Sequence, residues 1–128
     1  MTELEARREA VRRHPEEGDA HLMLAITLIS RQTRDAADDD ELLAALREAV
    51  RLLPDDPLAH TTLGVVLNER GAVEEAITAW EQAVRLASED PVARSLLAHA
   101  LGEAGRPVDA LAQWREAVRL QPGNAEFR

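Results

Sequence analysis

The residues best able to bind a metal in this chain are its histidines. His21 and His60 occupy equivalent places in consecutive segments of the sequence, and His99 lies further along. A zinc site needs several such ligands that converge on one point, usually together with carboxylates. The spacing of these histidines follows an internal repeat and not a ligand set, so we expect them to be packed or partly exposed.

Calcium is the second chemistry to consider, because carboxylates are crowded between Asp35 and Glu41. This run lacks the spacing of a calcium-binding loop and its distal glutamate, so it favours a solvated loop followed by a helix cap. The sequence also shows no nucleophile paired with a base, no glycine-rich phosphate loop and no pair of catalytic carboxylates. We therefore expect no catalytic site, no cofactor and no metal.

Composition and charge narrow the class of protein. The 128 residues are 45% hydrophobic but only 2% aromatic, and the net charge is −9. A core built from Ala, Leu and Val favours packed helices over sheets. The acidic surface argues against nucleic acid or an anionic membrane as a partner. Cysteine is absent, and no signal peptide or run of 18 apolar residues is visible, so we expect a soluble cytoplasmic protein.

A 34-residue period organises the chain. When the segment 57–90 is moved forward by 34 residues, identical residues coincide: Ala59 with Ala93, Leu63 with Leu97, Leu67 with Leu101, Gly71 with Gly105, Ala76 with Ala110, Trp80 with Trp114, Ala83 with Ala117 and Leu86 with Leu120. A fixed period of this length is typical of a solenoid, in which each unit buries its apolar face against its neighbours.

The elements that carry this pattern are predicted to be all-α. The expected helices cover about 2–14, 19–31, 40–53, 57–70, 73–87, 91–104 and 107–121. Aspartate followed by proline, at 56–57 and 90–91, is a helix start signal, and Gly71 and Gly105 lie just past helix ends. The connection 32–40 is five residues longer than its counterparts, which predicts a flexible loop.

Small residues recur where two helices must approach closely. They are Ala25, Gly64 and Ala98 on first helices, Ala76 and Ala110 facing them, and Ala10, Ala49, Ala83 and Ala117 in a third set. A larger side chain there would force the helices apart, so leucine at Gly64 or Ala83 is expected to destabilise the fold by overpacking.

The pattern resembles the tetratricopeptide repeat, whose signature is W-x2-L-G-x2-Y, then A-x3-F, then P. The matching residues are His60, Leu63, Gly64, Leu67, Ala76 and Trp80 in the central unit; Arg94, Leu97, Ala98, Leu101, Ala110, Trp114 and Pro122 in the last; and His21, Leu24, Ala25, Leu28, Leu42, Leu46 and Pro54 in the first. Aromatic residues are missing at the first and fourth positions. The resemblance implies an antiparallel helix-pair solenoid with three repeats in a short right-handed superhelix.

The implied organisation is one domain over residues 1–128. It consists of a capping helix at 2–14, a first repeat at 18–56 with an inserted loop at 32–40, a second at 57–90, a third at 91–124 and a tail at 125–128. Such proteins are non-catalytic interaction modules, so the resemblance implies an adaptor or chaperone-like protein that binds a peptide or partner segment in a concave groove.

In this family the groove is lined by set positions of each first helix. Carried onto this chain, they include Leu22, Ile26, Ile29, Ser30, Thr61, Val65, Asn68, Glu69, Ser95, His99 and Glu103. The apolar share on the first repeat either binds an apolar or amphipathic peptide or is covered by the chain's own N-terminal helix or long loop. The margin of this groove is acidic, with Glu69 and Glu103 among its residues, and it therefore favours a ligand with some basic residues.

The last helix suggests an alternative function. No polar helix closes the array after it, so the side that carries Leu111, Trp114 and Val118 is expected to be exposed. The chain would then be a structural subunit that self-assembles through this end, as a closed dimer or an open stack. The other possibility is that Phe127 and the tail fold back over it.

Overall fold

Seven α-helices make up the part of the chain that the computed structural model describes, residues 1–120. They are α1 (Glu3–Arg13), α2 (Gly18–Ile29), α3 (Ala36–Leu52), α4 (Pro57–Glu69), α5 (Val73–Leu86), α6 (Pro91–Glu103) and α7 (Pro107–Leu120). No strand occurs in this range. The all-α prediction is confirmed, and the predicted helix ends lie within two residues of the observed ones everywhere except at the start of α3.

The start of α3 differs from the sequence prediction. The helix begins at Ala36 and not near Asp40, so most of the predicted loop 32–40 is helical. Asp35 caps the helix by accepting a hydrogen bond from the Asp38 amide at 2.8 Å, and the Asp38 carboxylate accepts one in return from the Asp35 amide at 3.3 Å. Aspartates are favourable in the first turn of a helix, so the inserted residues lengthen α3 instead of forming a loop.

The predicted start and stop signals are confirmed at α4 and α6. Asp56 accepts a hydrogen bond from the Leu58 amide at 3.0 Å, and Asp90 accepts one from the Val92 amide at 2.9 Å. The two glycines predicted at helix ends, Gly71 and Gly105, have φ angles of 82° and 76°. Residues with a Cβ rarely adopt that left-handed conformation, so glycine is the favoured residue at both turns.

The chain divides into two compact units, Met1–Ala59 and His60–Arg128, which we call unit 1 and unit 2. In unit 1, α2 packs against both α1 and α3. Its core is aliphatic, with Leu28, Leu42 and Leu46 fully buried. The helix predicted at the N-terminus is present as α1, and it packs on α2 as the second helix of a preceding pair would.

In unit 2, α6 packs against both α5 and α7. Trp80 on α5 is the largest fully buried side chain of the described residues, and its indole Nε1 donates a hydrogen bond to the Thr61 carbonyl at 3.1 Å. Gly64 on α4 lies so close to this indole that a Cβ there would be 2.4 Å from Nε1. The close approach predicted at Gly64 is therefore confirmed.

The other small residues predicted at close helix contacts are also buried, with one exception. All of the predicted set except the half-buried Ala10 are buried, and Ala25, Ala49, Ala76, Ala83, Ala98 and Ala117 have no exposed surface.

Within residues 1–120, no helix combines the length and the apolar character that crossing a membrane would require.

Candidate functional site

The first histidine considered as a metal ligand, His21, has a structural role. His21 is buried, and its Nε2 lies 2.8 Å from the Pro15 carbonyl oxygen. Arg94 occupies the same repeat position in unit 2, where its Nε donates to the Ser88 carbonyl at 3.1 Å. In both cases the acceptor lies six residues before the donor, so the position supplies a side-chain donor to the preceding connection. Sequence reasoning missed this role, although the shared spacing was visible.

His60, at the same position in the second repeat, is also buried. His99 is exposed, with its side chain 68% accessible, and its Nε2 lies 2.8 Å from Glu103 Oε1 one turn along α6. A different histidine, His14, lies near Glu16 and Glu17 with its Nδ1 at 3.7 and 3.9 Å from their carboxylates. The side chains of His14, Glu16 and Glu17 are all exposed, and such groups of exposed acidic residues are common in proteins without a bound metal ion.

The predicted groove residues of unit 2 lie on a face of α4 and α6 that the core does not use. On α6, Leu97, Ala98 and Leu101 are buried, whereas His99 and Glu103 are exposed. The remaining predicted positions of unit 2 are half-buried, namely Thr61, Val65, Asn68 and Ser95, apart from the exposed Glu69. This first-helix face therefore has a mixed polar and apolar character with a carboxylate at the same place in each helix.

The predicted groove residues of unit 1 are less accessible. Leu22 is only 5% exposed and belongs to the core, whereas Ile26 and Ile29 are half-buried and Ser30 is exposed. Leu22 is therefore not on an open surface, because amphipathic spacing alone does not show which apolar residues a neighbouring element covers. The segment after α2 also contacts its end, since Arg34 Nη1 donates to the Ile29 carbonyl at 3.0 Å.

The predicted end face of α7 is only partly open. Leu111 is 49% exposed, and Trp114 and Val118 are half-buried. Two of the equivalent residues one repeat earlier are more covered, since Ile77 and Trp80 are each 2% exposed, whereas Val84 is half-buried like Val118. The proposed fold-back of Phe127 and the tail, and the repeat-ending Pro122, lie outside the described residues.

The second helices carry a repeated surface ion pair that the sequence analysis did not single out. Arginine donates through Nε to a glutamate three residues earlier, from Arg12 to Glu9, Arg51 to Glu48 and Arg119 to Glu116, at 3.0, 2.9 and 2.7 Å. These hydrogen bonds lower the pKa of each glutamate. Because the pKa of each glutamate is lower in the folded state, the pair stabilises the fold at a pH above the ordinary pKa of a carboxyl group, and this stabilisation is lost as the pH falls. The contribution to stability is small, since the pairs are exposed to solvent.

One ion pair in unit 1 joins two different helices. Arg8 on α1 contacts Glu41 on α3, with Nη2 to Oε1 at 2.7 Å and Nε to Oε2 at 3.0 Å. Asp38 lies 3.6 Å away from the same guanidinium. The hydrogen bond to Glu41 raises the pKa of Arg8. Sequence spacing could not reveal this contact, because it depends on how the two helices are aligned along each other.

Each unit has a surface cleft between two of its second helices. The α1–α3 cleft has a volume of about 350 Å³ and is lined by Val11, His21, Leu24, Glu41, Ala44, Ala45 and Glu48. The α5–α7 cleft has a volume of about 340 Å³ and is lined by Glu81, Val84, Arg85, Leu97, Leu101, Arg106, Asp109, Ala112 and Gln113. Val11 and Val84, and Leu24 and Leu97, are repeat equivalents, so the two clefts are versions of the same feature.

Comparisons with known proteins agree with this architecture. The family model of the tetratricopeptide repeat matches residues 40–91. A sequence comparison with curated proteins finds no significant match. The crystal structure of MamA aligns with a TM-score of 0.86 and 18% identity, covering 97% of this chain and 70% of MamA.

Two further solved structures are similar. TTC0263, a thermophilic TPR protein in Thermus thermophilus, aligns with a TM-score of 0.77 and 27% identity, over 98% of this chain and 67% of that protein. YrrB, a TPR protein with an unusual peptide-binding site, aligns with a TM-score of 0.81 and 21% identity, over 97% of this chain and 61% of YrrB. At these identities MamA and YrrB are evidence for the fold alone.

The family match over residues 40–91, the repeat-spaced helices and these structural likenesses together support a tetratricopeptide-repeat fold for this chain. Proteins with this fold generally act in protein–protein interaction and are generally non-catalytic.

Proposed function

We propose that this protein is a non-catalytic adaptor or chaperone-like module that binds a peptide segment on the first-helix face of unit 2. The observation that carries the proposal is the division of α6 into a buried side and a side whose His99 and Glu103 are free of the core. The second helices already cover the buried side, so the other side is the one a partner can reach. YrrB, with the same fold, has a peptide-binding site.

The chemistry of this face indicates the kind of peptide. Glu69 and Glu103 occupy equivalent positions one repeat apart, and both are exposed. Val65, one turn before Glu69 on α4, adds half-buried apolar surface. A segment with basic residues and at least one apolar anchor would complement both features, and the net charge of −9 would favour its approach. The same charge makes nucleic acid an unsuitable partner. The cytoplasmic location expected from the sequence is part of this proposal.

Reversing the charge at Glu69 and Glu103 tests the proposal. The double variant Glu69→Arg/Glu103→Arg is expected to lose most of the partners that the parent protein captures from its native lysate, because a basic segment would meet like charges. Glu74→Arg/Glu89→Arg is the matched control, since it changes two exposed carboxylates of unit 2 outside α4 and α6. Capture should be compared by quantitative mass spectrometry. Equal capture by all three proteins would contradict a site on this face.

A second candidate function is self-association through α7. The observation that favours it is the 49% exposure of Leu111, where its equivalent Ile77 is 2% exposed. Val108, on the same helix, is 81% exposed. A second copy could bury this apolar surface, which would make the protein a homodimer or an open stack.

Light scattering distinguishes a protein that self-associates through α7 from one that remains a monomer. If α7 is the interface, the parent should have a mass above the 14.1 kDa of one chain, and Leu111→Glu should return it to that mass. Leu58→Glu is the matched control, because Leu58 is 51% exposed but lies at the start of α4. A parent that stays at the monomer mass at every concentration, or a Leu111→Glu variant with unchanged mass, would argue against assembly through this end.

A further inference from the structure

The α5–α7 cleft lacks an interaction that the equivalent cleft in unit 1 has. In unit 1, Arg8 ties α1 to α3 through its paired hydrogen bonds with Glu41. The residue at the Arg8 position is arginine in three of the second helices but glutamate in α5, and the four are Arg8, Arg47, Glu81 and Arg115. The residue at the Glu41 position in α7 is Asp109. Two carboxylates therefore line this cleft where an arginine and a carboxylate pair in unit 1.

Of the two arginines that line this cleft, one pairs with Asp109 and the other is directed away from both carboxylates. Arg106 pairs with Asp109 on its own helix, with Nε to Oδ2 at 3.2 Å. Arg85 donates to Gln82 on its own helix at 3.1 and 2.8 Å. The carboxylate of Glu81 makes no ion pair or hydrogen bond with any residue in the range 1–120. The rim at Glu81 is therefore an anionic position that the described chain does not neutralise.

The floor of the cleft is suited to the stem of a long side chain. Val84 is half-buried, and Leu97 and Leu101 are buried, so apolar surface lies between the rims of α5 and α7. The methylene groups of arginine pack on such a surface while its guanidinium remains at the rim. A planar guanidinium also forms paired hydrogen bonds with carboxylates, as Arg8 does with Glu41.

We propose that the α5–α7 cleft binds an arginine side chain from a partner protein. Its guanidinium lies between Glu81 and Asp109, in the role that Arg8 has beside Glu41, and its stem lies over Leu97 and Leu101. Arg8 and Glu41 provide the internal precedent for this chemistry at the same repeat position. The rims of the site belong to the second helices α5 and α7, and its floor is the buried side of α6, so it is separate from the exposed first-helix face proposed above and does not depend on it.

Methyl NMR of the full chain with a small probe tests the site directly. Nα-acetyl-arginine amide is expected to cause saturable shifts of the Val84, Leu97 and Leu101 methyl signals. The citrulline amide, which has nearly the same shape without the charge, is expected to cause none. Glu81→Gln should weaken arginine binding about two- to fivefold, since a largely exposed charge pair is lost. Glu74→Gln is the matched control on the same helix and should leave binding unchanged.

A charge reversal gives an independent readout. In Glu81→Arg the new side chain is expected to pair with Asp109 as Arg8 pairs with Glu41, so the probe should no longer shift the three methyl signals. The proposal is overturned if citrulline or lysine amide binds as well as arginine amide, or if no saturable shift occurs. It is also overturned if the probe binds Glu81→Gln or Glu81→Arg as tightly as the parent. Because Glu81 is exposed, these variants are expected to fold, and circular dichroism checks this.

Discussion

Replacing Trp80 by alanine is expected to lower the free energy of unfolding by about 3–5 kcal/mol. The side chain is 2% exposed and is the largest fully buried one in the described chain. Its removal would leave a cavity beside Gly64 and would also leave the Thr61 carbonyl without the indole donor 3.1 Å away. Urea unfolding followed by circular dichroism would measure the loss, which is a large fraction of the stability of a typical domain.

Trp114→Ala is the matched control for this prediction. Trp114 occupies the same repeat position on α7 but is half-buried, so less apolar surface leaves water when it folds. Its replacement is expected to cost less than that of Trp80. Equal losses for the two variants would show that the repeat position, and not its burial, decides the energy, and that outcome would contradict the packing described for α5.

Adding a side chain at Gly64 is the second large effect. Gly64→Leu is expected to destabilise the protein by about 1–3 kcal/mol through overpacking. A Cβ at this position would lie 2.4 Å from Trp80 Nε1 and 2.7 Å from two ring carbons. Because the indole is buried, it has no open space into which to move. The midpoint of urea unfolding should fall accordingly.

Gly64→Ala and Gly102→Ala make a sharper comparison, because helix propensity alone favours alanine by about 1 kcal/mol at both positions. A Cβ at Gly102 on α6 would meet nothing within 4 Å, so that variant is expected to be more stable than the parent. Gly64→Ala is expected to be less stable in spite of the same gain in propensity. Stabilisation by both substitutions would count against the requirement for glycine where Trp80 approaches.

Repeat spacing predicted most of the fold because the packing residues recur at a fixed period and several helices carry local start or stop signals. Asp90 and Pro91 begin α6, and Gly105 ends it in the left-handed conformation, as expected from local sequence. The start of α3 was predicted four residues too late. Its first turn consists of alanines and aspartates and contributes little to the hydrophobic pattern. The capping box of Asp35 and Asp38 starts a helix where a loop was expected.

The candidate sites were less predictable, because a site depends on which faces meet. Leu22 and Ile26 have the same apolar character in the sequence, yet only Leu22 is in the core. Likewise, Arg8 and Glu41 are 33 residues apart, and nothing local links them. Their pairing, and with it the contrast at Glu81, requires the alignment of two helices that are not neighbours in the chain.

The sequence by itself determined the class of helix, the period and the places where only small residues fit. These features follow from the spacing of apolar residues and from backbone chemistry that acts over a few residues. The tertiary structure decided which histidine is a buried donor, which apolar residue of α2 is accessible and which cleft keeps a carboxylate that the described residues do not pair. Those properties come from contacts between side chains on different helices, and their burial and charge balance exist only once the helices pack.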